Sequence, residues 1–123
     1  MRFIDSNIIA YAFYDNPYTE SCQKILRKEG IVNTFVLIEA FHIIEKEVNK
    51  EKAIESVKAI LKSHIRIVEV DTNMIFEAIK RTNKLSLTVF DCIHYTTAKL
   101  NGCTEIISYD KDFDNLDIPR KEP

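Results

Sequence analysis

Four carboxylates in this chain occupy positions where a negative charge is costly to hold. Asp5 closes the apolar run that begins at Phe3, and Glu39 is set inside Phe35-Val36-Leu37-Ile38-Glu39-Ala40-Phe41. Asp91 follows Val89-Phe90, and Asp110 follows Ile106-Ile107-Ser108-Tyr109. Taking an ionised carboxylate out of water is unfavourable unless an opposite charge or a set of donors offsets the loss. No Lys or Arg lies within three residues of Glu39 or Asp91. A hard divalent cation ligated by oxygen would compensate all four at once, and the chemistry of such a pocket is metal-assisted.

Each acid also has a plainer role to set against that one. Asp5, with Ser6, can cap a helix beginning at Asn7. Thr88-x-x-Asp91 has the spacing of a capping box, and Asp91 would meet the positive end of its helix favourably. Asp110, Asp112 and Asp114 alternate as in a solvated Asx-turn loop; an EF-hand is excluded because its Gly and terminal Glu are missing at their spacings. Glu39 has the weakest competing role, since Val36 and Ile43 share its helical face and turn it inward. Position favours function for Asp5 and Asp110. In open α/β sheets the crevice that binds ligands lies beyond the carboxyl ends of the strands, and both follow a strand. Asn7 would point into the same crevice.

Glu39-x-x-His42 and Asp91-x-x-His94 also have the spacing by which carboxylate-bridged di-metal bundles hold their ions. That reading, a di-metal oxidoreductase, needs four long helices and leaves Asp5 and Asp110 without a role. A His one turn from an acid is more often packed or supporting than a ligand. Cys92 has no basic neighbour to stabilise a thiolate and reads as a core residue. Common hydrolase, NTPase, dehydrogenase and zinc-protease motifs do not occur in the chain.

The elements that must position these acids alternate between short β-rich runs and longer helical patterns, the mark of βα units around a parallel sheet. Strands are expected at Arg2–Ile4, Ile31–Asn33, Arg66–Val70 and Glu105–Ser108, with a short edge strand near Asp117 and Ile118 that Pro119 would end. Helices are expected over Asn7–Tyr14, over Pro17–Glu29 between an Asn16 cap and Gly30, over Val36–Val48, and around Ala53 to Leu61 as the second arm of a hairpin. Two more are expected over Asn73–Arg81, capped by Asp71 or Thr72, and over Val89–Leu100, capped by Thr88 and ended by Asn101-Gly102.

With 123 residues and no linker or repeat, the chain is expected to form one domain. Its net charge of −2 lacks the basic footprint of a bulk nucleic-acid binder, so any such contact would be local. Lys80, Arg81 and Lys84 form the one small basic cluster near the Asp91 helix, and phosphate contact there competes evenly with simple solvation. Three cysteines without C-x-x-C spacing indicate neither disulfides nor zinc and suit a reducing cytoplasm. No segment reads as a membrane span or a signal peptide.

Taken in order, these motifs resemble the PIN-domain family, and in size and sequence order the small VapC-type toxin ribonucleases. Phe3-Ile4-Asp5-Ser6-Asn7 resembles the strand-terminal Asp-Thr-Asn motif, with Ser for Thr. Glu39 stands where a helical Glu is expected, Phe90-Asp91-Cys92-Ile93-His94 resembles the third-acid helix, and Ser108-Tyr109-Asp110-Lys111-Asp112-Phe113 the closing Thr-x-Asp-x-Asp-Phe. The resemblance implies a three-layer α/β/α sandwich around a parallel sheet ordered 3-2-1-4-5, and Mg²⁺- or Mn²⁺-dependent cleavage of RNA. On that basis Asp5 and Asp91 are expected as principal metal ligands. Glu39 and Asp110 would ligate directly or through water, Asp112 would give outer support, and Asn7 and Ser108 would orient water or phosphate. A cognate antitoxin and a homodimer are the expected partners, with Lys80, Arg81 and Lys84 as candidate RNA contacts and Tyr11, Phe13 and Tyr14 as apolar surface needing cover. A PIN-like module that binds a partner without catalysis is one alternative, and the di-metal oxidoreductase, less favoured, is the other.

Overall fold

The computed structural model describes residues 1–123. Five strands, β1 (Arg2–Ile4), β2 (Ile31–Asn33), β3 (Arg66–Val68), β4 (Glu105–Ile107) and β5 (Arg120–Lys121), form one sheet ordered β3-β2-β1-β4-β5. Every neighbouring pair is parallel. Parallel strands need crossover connections, which are right-handed almost without exception. The chain first winds outward from β1 to β3, through helices α1 (Ser6–Tyr11), α2 (Thr19–Leu26), α3 (Thr34–Glu47) and α4 (Lys50–Leu61). It then returns past β1 to β4 through α5 (Thr72–Thr82) and α6 (Val89–Leu100). Reversing direction puts α5 and α6 on the opposite face, which gives the α/β/α sandwich. The reversal falls between β1 and β4, so the crevice at their carboxyl ends is the topological switch point.

The strands read as apolar runs because both faces are covered. Phe3, Ile4, Ile31, Val32, Ile106 and Ile107 are buried between Ile8, Ile9, Val36, Ala40 and Ile44 of the first helical layer and Tyr95 and Ala98 of the second. Gly30, just before β2, is required by close approach rather than by backbone angle: a Cβ there would lie 2.4 Å from Cδ1 of buried Ile4. Gly102 is the glycine that uses the left-handed region, with φ of 68° after the end of α6. No helix is long and apolar enough to cross a membrane.

Several expected boundaries shift for identifiable reasons. The strand expected through Val70 stops at Val68, since the Val70 N–H turns away from the ladder to the Thr34 hydroxyl at 3.1 Å. Helix α3 begins at Thr34 because Asn33 caps it, its side chain accepting from the Val36 N–H. Asn16 does not cap a helix from Pro17. Its amide instead donates to the carbonyls of Tyr11 and Tyr14 and accepts from the Tyr18 N–H, so α1 ends at Tyr11 and α2 waits until Thr19. The edge strand lies at Arg120–Lys121 rather than at Asp117–Ile118. Asp117 accepts from the Tyr95 hydroxyl and from Lys99, while the Pro119 carbonyl accepts from the Ile106 N–H and so opens the strand instead of ending it. Tyr11, Phe13 and Tyr14 are not free surface. They are half-buried against the core, with Tyr11 stacked on Tyr18.

Candidate functional site

Asp5 is the N-cap of α1, placed there because β1 ends at Ile4 and the Asp5 N–H completes the ladder to the Ile107 carbonyl. One carboxylate oxygen accepts from the Ser6 N–H at 2.7 Å. The other accepts from the Ser108 hydroxyl at 2.5 Å and from the Asn7 amide at 3.3 Å. Ser108 is fully buried and faces both strand-end acids, because the same hydroxyl accepts from the Asp110 N–H at 2.9 Å. Asp110 in turn caps a single 3₁₀ turn, Lys111–Phe113, by accepting from the Asp112 N–H. The side chains of Asn7 and Ser108 are thus spent on holding Asp5 and Asp110, a bracing role, rather than standing free.

The remaining acids arrive from the two helical layers. Glu39 lies mid-way along α3 and Asp91 in the first turn of α6, where the Thr88 hydroxyl caps the helix on the Asp91 backbone N–H at 3.2 Å. Ligand atoms of Asp5, Glu39 and His94 all lie within 4.8 Å of one another, as do those of Asp91, Asp110 and Asp112. The two groups adjoin, since the charges of Asp5 and Asp110 both act on Asp91. All five acids named from the sequence therefore converge on the switch point, with Asp112 at the exposed rim.

The electrostatics of the cluster are those of uncompensated charge. Burial pushes the Asp91 carboxyl up to about 6, and the charges of Asp110 and Asp5 add to it. Burial likewise raises Asp5, against the pull of His94 and of its hydrogen bonds. None of Asp5, Glu39, Asp91 and Asp110 pairs with a Lys or Arg. Oxygen donors of one sign, desolvated and mutually repelling, are the ligand set that suits a hard divalent cation, whose charge would reverse these shifts.

The histidines divide. His42 is exposed and lies outside the cluster, on the wall of an apolar hollow of 450 Å³ that it shares with Ser6, Ile38, Glu39, Ile43 and Phe90. His94 is buried beneath the acids, and its Nε2 is 2.6 Å from Glu39 Oε1. Burial works against an imidazolium there, but the Glu39 hydrogen bond and the charges of Glu39, Asp5 and Asp91 together raise the pKa. Glu39 is thus bonded to His94 from the facing helix, while His42, one turn along its own helix, stands outside the cluster.

Of the basic residues, Lys80 and Arg81 are both engaged by Glu77, at 3.2 and 3.4 Å. Lys84 opens onto a 350 Å³ cavity with Lys111, Asp112 and Asp114, at the rim of the acidic cluster. Cys92 is buried and its thiol is pushed up by burial and by Asp91, as a core residue should be.

Comparison with known proteins bears on this arrangement directly. The PIN domain matches residues 2–119. The chain belongs to the PIN-domain family. No curated protein matches it in sequence, so the remaining comparisons are structural. VapC20 of Mycobacterium tuberculosis, a toxin that cleaves the sarcin-ricin loop, is 13% identical with a TM-score of 0.80, over 97% of this chain and 99% of that one. VapBC2 of Rickettsia felis, solved on a DNA fragment from its promoter, is 14% identical with a TM-score of 0.72, over 98% and 97%. FitAcB of Neisseria gonorrhoeae is 16% identical with a TM-score of 0.67, over 98% and 96%. At these identities it is the PIN fold that is shared.

The residue the sequence did not reveal is Asn33. It is fully buried, and its amide bonds His94 Nδ1 at 3.0 Å and the Thr97 hydroxyl at 2.9 Å. The available signal was a polar Asn closing the apolar run of β2 three residues before Val36, the spacing of a helix cap.

Proposed function

We propose that this PIN domain is a divalent-metal-dependent endoribonuclease, the toxin of a toxin–antitoxin pair. The observation that carries the reading is the gathering of Asp5, Glu39, Asp91 and Asp110, unpaired with any cation of the protein, at the β1/β4 switch point. Asp5 and Asp91 would hold Mg²⁺ or Mn²⁺ most directly, Glu39 and Asp110 directly or through water, and Asp112 from the rim. When bound, such an ion supplies charge neutralisation at the phosphoryl oxygens and a more acidic water for in-line attack.

The chain's own residues do the positioning. Ser108 and Asn7 hold one oxygen of the Asp5 carboxylate and the Ser6 N–H the other, so little reorganisation would be needed on binding. Lys84, free of an acidic partner, lies where an RNA phosphate passing the Asp112 rim would meet it, with Lys80 and Arg81 in the last turn of α5 just before it. A homodimer would add the positive field that a chain of net charge −2 lacks, and an antitoxin would hold the enzyme silent in a reducing cytoplasm. The deciding experiment is RNA cleavage by purified protein. Activity should need Mg²⁺ or Mn²⁺, stop with EDTA, and disappear in Asp5→Asn. Cleavage unaffected by chelator would overturn the proposal, and a folded protein that binds metal but never turns over RNA would make it a binding module.

A further inference from the structure

We propose that His94 is a positioning residue, held by Asn33 with Nδ1 as acceptor and the N–H on Nε2, whose task is to fix Glu39 for the cation. This deepens the metal-dependent reading above and rests on it. The proton assignment follows from a chain of hydrogen bonds anchored to the backbone at both ends. The Asn33 carbonyl oxygen caps α3 by accepting from the Val36 N–H at 2.9 Å, which orients the amide. Its NH₂ group therefore faces His94 Nδ1 at 3.0 Å and the Thr97 hydroxyl oxygen at 2.9 Å. Thr97 accepts, because its own proton goes to the Ile93 carbonyl at 2.8 Å. Two donors cannot face each other, so Nδ1 must be the acceptor and carry no proton. Nε2 then carries it, and donates to Glu39 Oε1 at 2.6 Å.

Two consequences follow. An Nε2 that bears hydrogen cannot ligate a metal, so His94 stands behind the carboxylates rather than among them, although its ring lies within 4.8 Å of Asp5 and Glu39. Metal-bound histidines show the reverse pattern, donating their second nitrogen to a carbonyl or carboxylate. Glu39, for its part, is the one cluster acid that comes from the middle of a helix, on a flexible side chain beside an open hollow. The His94 N–H fixes one of its oxygens and leaves the other for the cation. His94 is 1% exposed and Asn33 is 0% exposed, so bulk water does not compete for these bonds.

Two measurements test this. In metal-free protein at neutral pH, long-range ¹⁵N–¹H NMR should show His94 as the Nε2–H tautomer. An Nδ1–H tautomer with Nε2 bare refutes the inference without bearing on nuclease activity. Calorimetric titration with Mn²⁺ then compares wild type, His94→Leu and His94→Gln, each checked for native fold by its amide spectrum. Loss of the N–H in His94→Leu should weaken Mn²⁺ by about 10- to 100-fold. His94→Gln, whose amide presents an acceptor to Asn33 and a donor to Glu39, should recover most of that loss. Equal affinity in Leu and wild type would refute positioning, as would a Gln variant no better than Leu. Absence of Mn²⁺ binding in wild type would instead overturn the proposed function, and this inference with it.

Discussion

Replacing Asp91 by Asn separates an active-site acid from a helix cap, because the two roles predict opposite changes in stability. In metal-free protein the Asp91 carboxyl is raised from 3.8 to about 6, by burial first and then by Asp110 and Asp5. A raised acid stabilises the native state below 3.8, where the carboxyl is protonated folded and unfolded. That contribution is lost as pH climbs through about 6. A shift of this size corresponds to about 3 kcal/mol of strain at neutral pH if the group were dry. Asp91 is only half-buried, and solvent screening reduces the figure to about 1 to 1.5 kcal/mol. Against it stands the interaction of the charge with the α6 N-terminus, about 0.3 to 1 kcal/mol. The Thr88 cap itself uses the Asp91 backbone N–H and survives the change. The net expectation is a variant between unchanged and about 1 kcal/mol more stable in EDTA at neutral pH, or up to roughly 5 °C in Tm for a chain of this size. The advantage should fade as pH falls from 6 toward 4. Mn²⁺ should then stabilise wild type by mass action, about 2.7 kcal/mol at a hundredfold excess over Kd, and the variant far less. Scanning calorimetry in EDTA and in Mn²⁺ reads all of this. A variant that melts clearly below wild type in EDTA, yet gains equally from Mn²⁺, would show Asp91 to be a cap and the site misassigned.

Other expectations can be checked alongside. Ser108→Ala removes the donor to Asp5 and the acceptor for the Asp110 N–H; leaving buried groups unpaired should cost about 1 to 3 kcal/mol by urea unfolding, and Mn²⁺ affinity should fall with it. Gly30→Ala sets a Cβ against buried Ile4 and should destabilise by about 1 to 3 kcal/mol through overpacking, with no effect on metal affinity beyond that; an unchanged Tm would mean that β1 and β2 can part locally. Lys84→Ala, at an exposed position, should leave Tm unchanged while reducing the salt dependence of RNA binding by about 0.7 in the log–log slope; an unaltered slope would place the RNA path elsewhere. Light scattering should show a dimer or larger, and only a 14.3 kDa species at micromolar concentration would argue against the proposed shared field.

The acids of the candidate site stood out in the sequence because each sits where an apolar segment ought to continue or stop cleanly. Asp5 and Asp110 end strands, Asp91 opens a helix, and Glu39 interrupts a helical apolar face; these are one-dimensional signals. Boundaries governed by a single long-range or medium-range bond were not legible. Val70 leaves the sheet for the Thr34 hydroxyl, and Asn16 spends its amide on two carbonyls rather than on a cap. Helix and strand periodicity is silent about such bonds. The exposure of Tyr11 and Tyr14 was misjudged for a related reason: aromatic residues in a short helix look alike whether they face water or stack on a loop that returns from Tyr109.

What the sequence concealed most completely is the polar layer beneath the acids, and the concealment has a physical cause. Asn33 and Thr97 occupy positions that would suit Val or Ile, and both are fully buried. A buried polar group is tolerated only when all its bonds are made, and a network that satisfies every member confers rigidity that apolar packing does not. Here the layer ties the start of α3 to the middle of α6, the two helices that deliver Glu39 and Asp91 from opposite faces of the sheet. Carboxylates that repel one another need such a tie, because without a cation their cheapest relief is to move apart. Rigidity built from Asn33, His94 and Thr97 would oppose that relief, so that under the proposed function the repulsion would be stored until a cation removed it. Softening the layer, for example by Thr97→Val, should therefore relax the repulsion among the acids, lowering the Asp91 pKa seen by ¹³C NMR titration of metal-free protein while weakening Mn²⁺. A Thr97→Val protein whose Asp91 titrates as in wild type would show that the cluster is held together by other means.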